Sequence, residues 1–300
     1  MEKFLITSSY SESWKLKDEN YFLNYLARLG FDKKKYKEKF FSIEPYGNKL
    51  HLKKNNERYI IKLCSAIEKD LFKKLNLVHL ENNNYKYWKI ILGNWLIRTS
   101  KIIFYRYKCI EKAIENENNF LTTASNFDDY NFYTDQSVGI ESVSLDGEWN
   151  YNLISNIIRY SFANKIKIID FKSRNNCYKE KKVLSKKLYF NTAKNLLIKF
   201  FQNTFFYFNK DNKYFLKTTS LPTLEEMKLN VFLNQIPTIY SSDFVSNNYF
   251  DKKIRENLNI EKSTEDKIEK LLRFLIPKLL PLSFLENYKN LKKISKTLKW

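Results

Sequence analysis

Glycine and proline are scarce, at five each in 300 residues. That scarcity excludes collagen-like, linker-rich and glycine-rich phosphate-loop designs. Neither G-x-G-x-x-G nor G-x-x-x-x-G-K-[ST] occurs, so nothing supports a dinucleotide fingerprint or a P-loop. The three cysteines, Cys64, Cys109 and Cys177, lie far apart without a C-x-x-C pair. They form neither a disulfide framework nor a zinc site, and a reducing compartment fits them. Histidine is limited to His51 and His79, with no H-E-x-x-H and no G-x-S-x-G elbow anywhere. Both histidines read as surface or capping residues rather than catalysts, and neither metal nor other cofactor is expected. Apolar runs are short. The longest candidate, 90–104, is interrupted by Asn94, Arg98 and Lys101 and falls below the ~18 residues of a membrane span. The apolar stretch near the N-terminus is too short for a secretory signal. The expected location is cytoplasmic, with peripheral contact at the inner face of the cell membrane.

Aromatic side chains, by contrast, are abundant: 24 Phe, 21 Tyr and 5 Trp, which a disordered chain would not carry. The formal net charge is +20, yet only eight of the 53 basic residues are arginine. Bidentate recognition of bases and phosphates favours arginine, so the low share counts against nucleic acid as a partner. Joint enrichment of Lys, Asn, Ile, Phe and Tyr is what an A/T-biased genome produces. The charge still attracts anionic headgroups and phosphates, above all at 165–199, where eleven basic residues face two acids.

Hydrophobic patterning predicts the elements in order. Phe4 to Thr7 and Phe40 to Ile43 read as short strands, and the spacing of Tyr21, Phe22, Tyr25, Leu26 and Leu29 predicts a helix between them, capped by Asp18 or Asn20 and stopped at Gly30. Two long helices follow over about 55–80 and 85–117, separated at Asn82-Asn83-Asn84 and expected to pair as an antiparallel hairpin. Gly93 inside the second implies a close contact or a kink. Residues 122–146 read as an irregular acidic loop, 147–160 as an amphipathic helix and 166–171 as a buried strand. Strands at 204–208 and 214–218, a helix over 223–233, a helix over 263–276 capped by Ser263, and a last helix over 284–298 complete the prediction. Strand, loop, helix, strand is the opening of a parallel α/β unit.

Ligands in α/β folds bind beyond the carboxyl ends of strands. Two strand-to-helix turns there are rich in hydroxyls: Thr7-Ser8-Ser9 and Thr218-Thr219-Ser220. Each is either an ordinary capped turn or a seat for a sugar or phosphate. Trp14 and Glu148-Trp149 lie at loop–helix junctions, where an indole can stack on a sugar or fill a core. Trp88 and Trp95, seven residues apart on one helical face, read as core.

The segments FLITSSYSESWK at 4–15, NYKYWKIILGNWL at 84–96, DGEWNYNLI at 146–154, SLPTLEEMKLNVFLNQIP at 220–237 and LIPKLLPLSFLENYKNLKK at 275–293 occur in that order. Together they resemble a family of bacterial transferases found in O-antigen and surface-polysaccharide gene clusters, along nearly the whole chain. The resemblance implies an α/β, Rossmann-like half of a glycosyltransferase-B type fold, with the long helical hairpin at about 55–117 as an insertion. It implies that 1–300 is the N-terminal, acceptor-side domain and that a C-terminal donor-binding half, with a Gln-His-Gly-Gly type turn this sequence lacks, lies outside the chain. The expected activity is a glycosyl- or glycerophosphotransferase, incomplete as this chain. The expected partners are a sugar or lipid-linked acceptor and a nucleotide-activated donor held through the other half. Glu148 is the candidate acid or base. Ser8, Ser9, Trp14, Trp149, Thr219, Lys228 and Gln235 are candidate substrate-binding residues. Two rival readings are a non-catalytic remnant that binds a partner chain, and a basic single-stranded nucleic-acid-binding protein.

Overall fold

Phe4, Leu5 and Ile6 are all buried, which is why an uninterrupted apolar run at the start of the chain becomes the central strand of a sheet. In the computed structural model, which describes residues 2–35, 39–43, 50–117, 119–126, 140–171, 223–232 and 251–297, that strand is β1 (Lys3–Ile6). With β2 (Glu19–Phe22), β3 (Lys39–Ser42), β4 (Phe120–Ala124) and β5 (Lys167–Asp170) it forms a five-stranded sheet in the order β3-β2-β1-β4-β5. Every pair is parallel: Phe4 aligns with Asn20 and Leu121, Phe22 with Ser42, and Thr122 with Ile168. The chain divides into two compact units, one of 1–179 with 246–300 and the other of 180–245. The sheet belongs to the first.

Two predictions fail at the sheet. The segment read as a helix from Asp18 or Asn20 to Leu29 is instead β2 followed by turns, although Gly30 does adopt the left-handed backbone that ends it, at φ 73°. Pairing outweighs periodicity here. Glu19–Phe22 fills the gap between β1 and β3, and the buried Asn20 side chain ties Lys17 N–H, Lys17 O and Lys39 O. The loop read from 122 onward begins inside β4, whose threonines are strand formers held by hydrogen bonds: Thr122 Oγ1 donates to Leu5 O and Thr123 Oγ1 to Ser13 O, both at 2.7 Å.

Side chains alternate across the sheet. Leu5, Tyr21 and Phe120 face the main core, whereas Phe4, Ile6, Phe22 and Leu121 face a second cluster with Ala27. The second face is covered by loop aromatics, with Trp14, Phe31 and Phe40 packed on Phe22. The main core lies under helices. Here α1 (Leu50–His79) and α2 (Tyr85–Asn116) run antiparallel, as Glu57–Lys101 and Glu68–Lys89 ion pairs at successive levels require. Asn76 organises their junction: its amide bonds Asn83 O and Asn83 N–H, and its oxygen also accepts from Trp88 Nε1 at 2.8 Å. Gly93 is in close contact, since a Cβ would lie 3.2 Å from the Lys89 side chain.

After a single turn α3 (Ile140–Val143), Asp146 caps α4 (Gly147–Ser161) by accepting from Trp149 N–H at 2.7 Å. Helix α5 (Thr223–Phe232) belongs to the second unit. Returning to the first unit, α6 (Lys252–Asn257), α7 (Lys267–Leu279) and α8 (Tyr288–Thr297) follow. The cap of α7 is Asp266 and not Ser263, because its carboxylate accepts from both Ile268 and Glu269 N–H and from Tyr59 Oη. Arg273 then joins α7 to Asp70 of α1 at 2.8 Å. Arg255 of α6, almost fully buried, pairs with buried Glu286 at 2.6 Å and donates to Pro277, Lys278 and Leu280 carbonyls at the end of α7. Such a pair specifies geometry more than it adds stability, and its loss would strand a buried charge. The predicted strands at 204–208 and 214–218 lie outside the described residues.

The sequence reading of His79 as a surface residue is also corrected. It is buried, stacks on Tyr288 at 4.2 Å, and its Nε2 faces Phe284 O at 3.1 Å as a donor. Burial lowers its pKa below the ordinary 6.5, so the folded state holds it neutral while an unfolded chain takes up a proton more readily. Stability is therefore full above pH 6.5 and is lost as pH falls from there through the lowered folded value. Thermal melts between about pH 5 and pH 8 should show the midpoint falling on acidification, and His79→Gln should flatten that slope.

Candidate functional site

Between β1 and β4 the direction of strand succession reverses, which is the switch point where sheets of this kind have their ligand crevice, at the carboxyl edge. Thr7 and Ser8 leave β1 buried, and Ser9 and Tyr10 emerge half-buried. The loop is braced from within. Ser8 Oγ accepts from Tyr10 N–H at 3.2 Å, Ser8 O from Trp14 Nε1 at 3.0 Å, and Tyr10 O from Ser13 Oγ at 2.7 Å. Ser13 O in turn accepts from Thr123 of β4, which fastens the loop across the crevice floor.

The N-terminus of α4 closes on this loop. A Cβ at Gly147 would lie 2.6 Å from Ser9 Oγ, 3.0 Å from Tyr10 N and 3.1 Å from Ser9 C, so no side chain fits there. The contact brings two separately predicted groups together: Ser8-Ser9 on one side and half-buried Glu148, one residue beyond the contact, on the other. Trp14 and Trp149 have other neighbours. Trp14 packs on Phe22 and Phe31 of the second cluster, and Trp149, 3% exposed, is part of the main core. Lys228 is exposed on α5 and pairs with Glu225 at 2.9 Å, in the second unit. Thr219 and Gln235 lie outside the described residues.

An aromatic wall stands beside the loop. Tyr10, Tyr151 and Phe171 meet with ring centroids 5.7, 6.4 and 6.0 Å apart, and burial pushes the Tyr151 hydroxyl up to about 12. Lys15 Nζ lies 5.9 Å from the Phe171 ring. Arg159 closes the end of β4, donating to Ser125 O at 2.6 Å and Ala124 O at 3.0 Å while pairing with Asp170 of β5. Ser155 Oγ accepts from Ser125 N–H at 3.1 Å.

Sequence reasoning missed a set of buried polar atoms beside these. Ser125 Oγ, both amide atoms of Asn152 and Asn156 Oδ1 are buried with no hydrogen-bond partner, and Asn152 is fully inaccessible. A buried amide left unpaired costs free energy, about 1–3 kcal/mol for each group. The signal was present in N-Y-N-L-I-S-N, three asparagines in one helical stretch where asparagine is a poor helix former.

Chemically the two segments that meet here carry the half-buried Ser9 hydroxyl and Glu148 carboxylate, while the amides of Asn152 and Asn156 are buried within α4. Cys64 and Cys109 are buried with thiols pushed up by desolvation, which makes them poor nucleophiles. Among the described residues no three His, Cys, Asp or Glu side chains gather to hold a metal ion, and no helix is long and apolar enough to cross a membrane. The family model of the LIC12162 family transferase matches residues 3–300. The chain belongs to that family. No curated protein and no solved structure matches the chain.

The Gly147 contact can be tested directly. Gly147→Ala forces a Cβ onto backbone atoms of the Ser9 loop and should cost about 1–3 kcal/mol in urea denaturation. Gly93→Ala meets only the flexible Lys89 side chain and should stay within about 1 kcal/mol of the parent.

Proposed function

We propose that the chain is the acceptor-side domain of a transferase of surface-polysaccharide (O-antigen) biosynthesis, built as one half of a glycosyltransferase-B type fold with α1 and α2 inserted after β3. The observation that carries the reading is the contact between the Ser9-Tyr10 loop and Gly147 at the start of α4, beside the switch point between β1 and β4, which brings the chain segments bearing Ser9 and Glu148 side by side. Membership in a transferase family adds to it. The strand order is that of a Rossmann-like sheet, although β1–β2 and β2–β3 are joined through 3-10 turns, Ser11–Ser13 and Lys33–Lys35, rather than through α-helices.

In this reading the acceptor is a sugar, free or lipid-linked, with its hydroxyls toward Ser9 and its ring against Tyr10. Glu148 takes the proton of the attacking hydroxyl as that oxygen bonds to the activated carbon or phosphorus of the donor. The bond to the nucleotide's phosphate breaks, and the nucleotide leaves with the electron pair. The donor, a nucleotide-activated sugar or polyol phosphate, is held by a second α/β half. The reaction takes place in the cytoplasm at the inner face of the membrane, where the net charge of +20 draws the protein to anionic headgroups.

Saturation-transfer NMR of the full chain with methyl glycosides of common hexoses and N-acetylhexosamines tests this. Glycoside signals should appear and weaken at least about fivefold in Tyr10→Ala, which removes the ring the sugar packs against, with Glu148→Gln staying within about twofold. With a nucleotide-activated donor and the other half supplied, Glu148→Gln should lower transfer by about 100-fold or more. Silence with every glycoside, alongside salt-steep binding of a single-stranded oligonucleotide, would overturn the acceptor reading in favour of nucleic acid.

A further inference from the structure

At the opposite end of α4 lies a cleft that the transfer reaction does not use. Helices α2 and α4 both end at the amino edge of the sheet, because each leads directly into the start of a parallel strand, β4 or β5. The first turn of α7 meets them there. The three elements enclose a cleft of about 550 Å³, within the range that holds a small-molecule ligand. Thirteen residues of α4 separate Gly147 from Tyr160, which at 1.5 Å per residue places this cleft roughly 20 Å from the Ser9 loop.

Its lining has three chemically distinct parts. Tyr107, Tyr160 and Phe162 supply an aromatic wall; Phe162 packs on Tyr107 at 4.9 Å, and Tyr160 is held in place by stacking on Phe274 at 4.5 Å while remaining 39% exposed. Lys165, Lys267 and Lys270 supply three exposed ammonium groups from two elements, and none has an ion-pair partner among the described residues. Glu111 and Glu115 supply carboxylates, already neutralised by Lys108 at 2.5 Å and Lys112 at 3.3 Å. Three exposed lysines lining one cleft without ion-pair partners among the described residues raise its positive potential and favour a polyanion there. The aromatic wall asks for a flat ring, and the paired carboxylates can accept from a diol.

We propose that this cleft binds a nucleoside diphosphate or triphosphate, with the base on Tyr160, the ribose hydroxyls donating to Glu111 and Glu115, and the phosphates among Lys165, Lys267 and Lys270. It is a second site, separate from the carboxyl-edge crevice. Occupancy would tie the start of α7 to the ends of α2 and α4, and so couple nucleotide supply to the packing of the C-terminal helices on the core.

Isothermal titration of the full chain with ADP, UDP and inorganic pyrophosphate at about 0.15 M salt decides it. Both nucleotides should bind with a Kd below about 1 mM and pyrophosphate at least about tenfold more weakly. The double variant Lys267→Glu/Lys270→Glu should bind both nucleotides at least about tenfold more weakly, and it should remain folded, since acidic residues suit the first turn of α7. Tyr160→Ala should lose saturation transfer to the base protons. Glu148→Gln should bind nucleotide like the parent, which keeps this site distinct from the crevice. Absence of nucleotide binding, binding unchanged by the double lysine variant, pyrophosphate binding as tight as ADP, or capture by phosphatidylglycerol vesicles with no nucleotide response would each overturn it.

Discussion

The parallel pairing of β1 with β2 on one side and β4 on the other governs everything else in the first unit. A strand paired on both edges and buried on both faces favours apolar side chains, or polar ones whose hydrogen bonds are met inside, and Phe4-Leu5-Ile6 supplies the first kind. Placing β4 beside β1 rather than beside β3 obliges the chain to recross the sheet, and α1 and α2 make that crossing. The two long helices are thus a consequence of the strand order as much as a hydrophobic cover. The other face receives no helix from the described residues near β1 and β2; Trp14, Phe31 and Phe40 close it instead. The unusual aromatic content has a structural use here, since large rings on loops cover a sheet face that aliphatic loop residues would leave wet.

The same topology explains what could be read from the sequence. Helices α1, α2 and α4 bury apolar residues at helical spacing over many turns, and their bounds follow closely from that spacing except at the start of α1, which lies five residues earlier, at Leu50. β2 was hidden because four residues of strand sit inside a segment whose aromatics also satisfy a helical period; only the vacancy between β1 and β3 decides between them. β4 was hidden because a buried strand can hold threonines when their hydroxyls bond neighbouring carbonyls, as Thr122 and Thr123 do. At the site, Ser8 and Ser9 were legible because the end of β1 was legible. Asn152 and Asn156 were not, since polar positions on an amphipathic helix ordinarily face water. Here the sheet on one side and α2 and α7 on others leave α4 almost no solvent face.

Charge follows a division of labour that composition conceals. Arg106, Arg159, Arg255 and Arg273 each donate to at least one main-chain carbonyl: Ser144, Ser125 and Ala124, the end of α7, and Ile260. These are places where an element stops and its carbonyls need donors, and a planar guanidinium reaches several at once, as a lysine ammonium cannot. Half of the eight arginines are spent this way. The low arginine share therefore says less about ligands than it first suggests, because half of the arginines are committed to the fold.

Lysine carries the remaining charge, and most of it is paired or solvated in ways that imply no ligand. Lys3, Lys89, Lys101 and Lys292 each meet a carboxylate of another element and fasten the surface. A lysine becomes informative when the fold brings it to a concave place without a partner. Net charge alone cannot distinguish that case from a solvated face, because screening removes the influence of charges more than about 10 Å away. The cleft at the end of α4 meets the stricter condition: the lysines of α7 and of the α4–β5 turn line the same cleft as three aromatic rings, while its acids are already held by Lys108 and Lys112. Basicity produced by composition would be spread over the surface; basicity aimed into a cavity requires three elements to be placed, and placement is what a ligand can use.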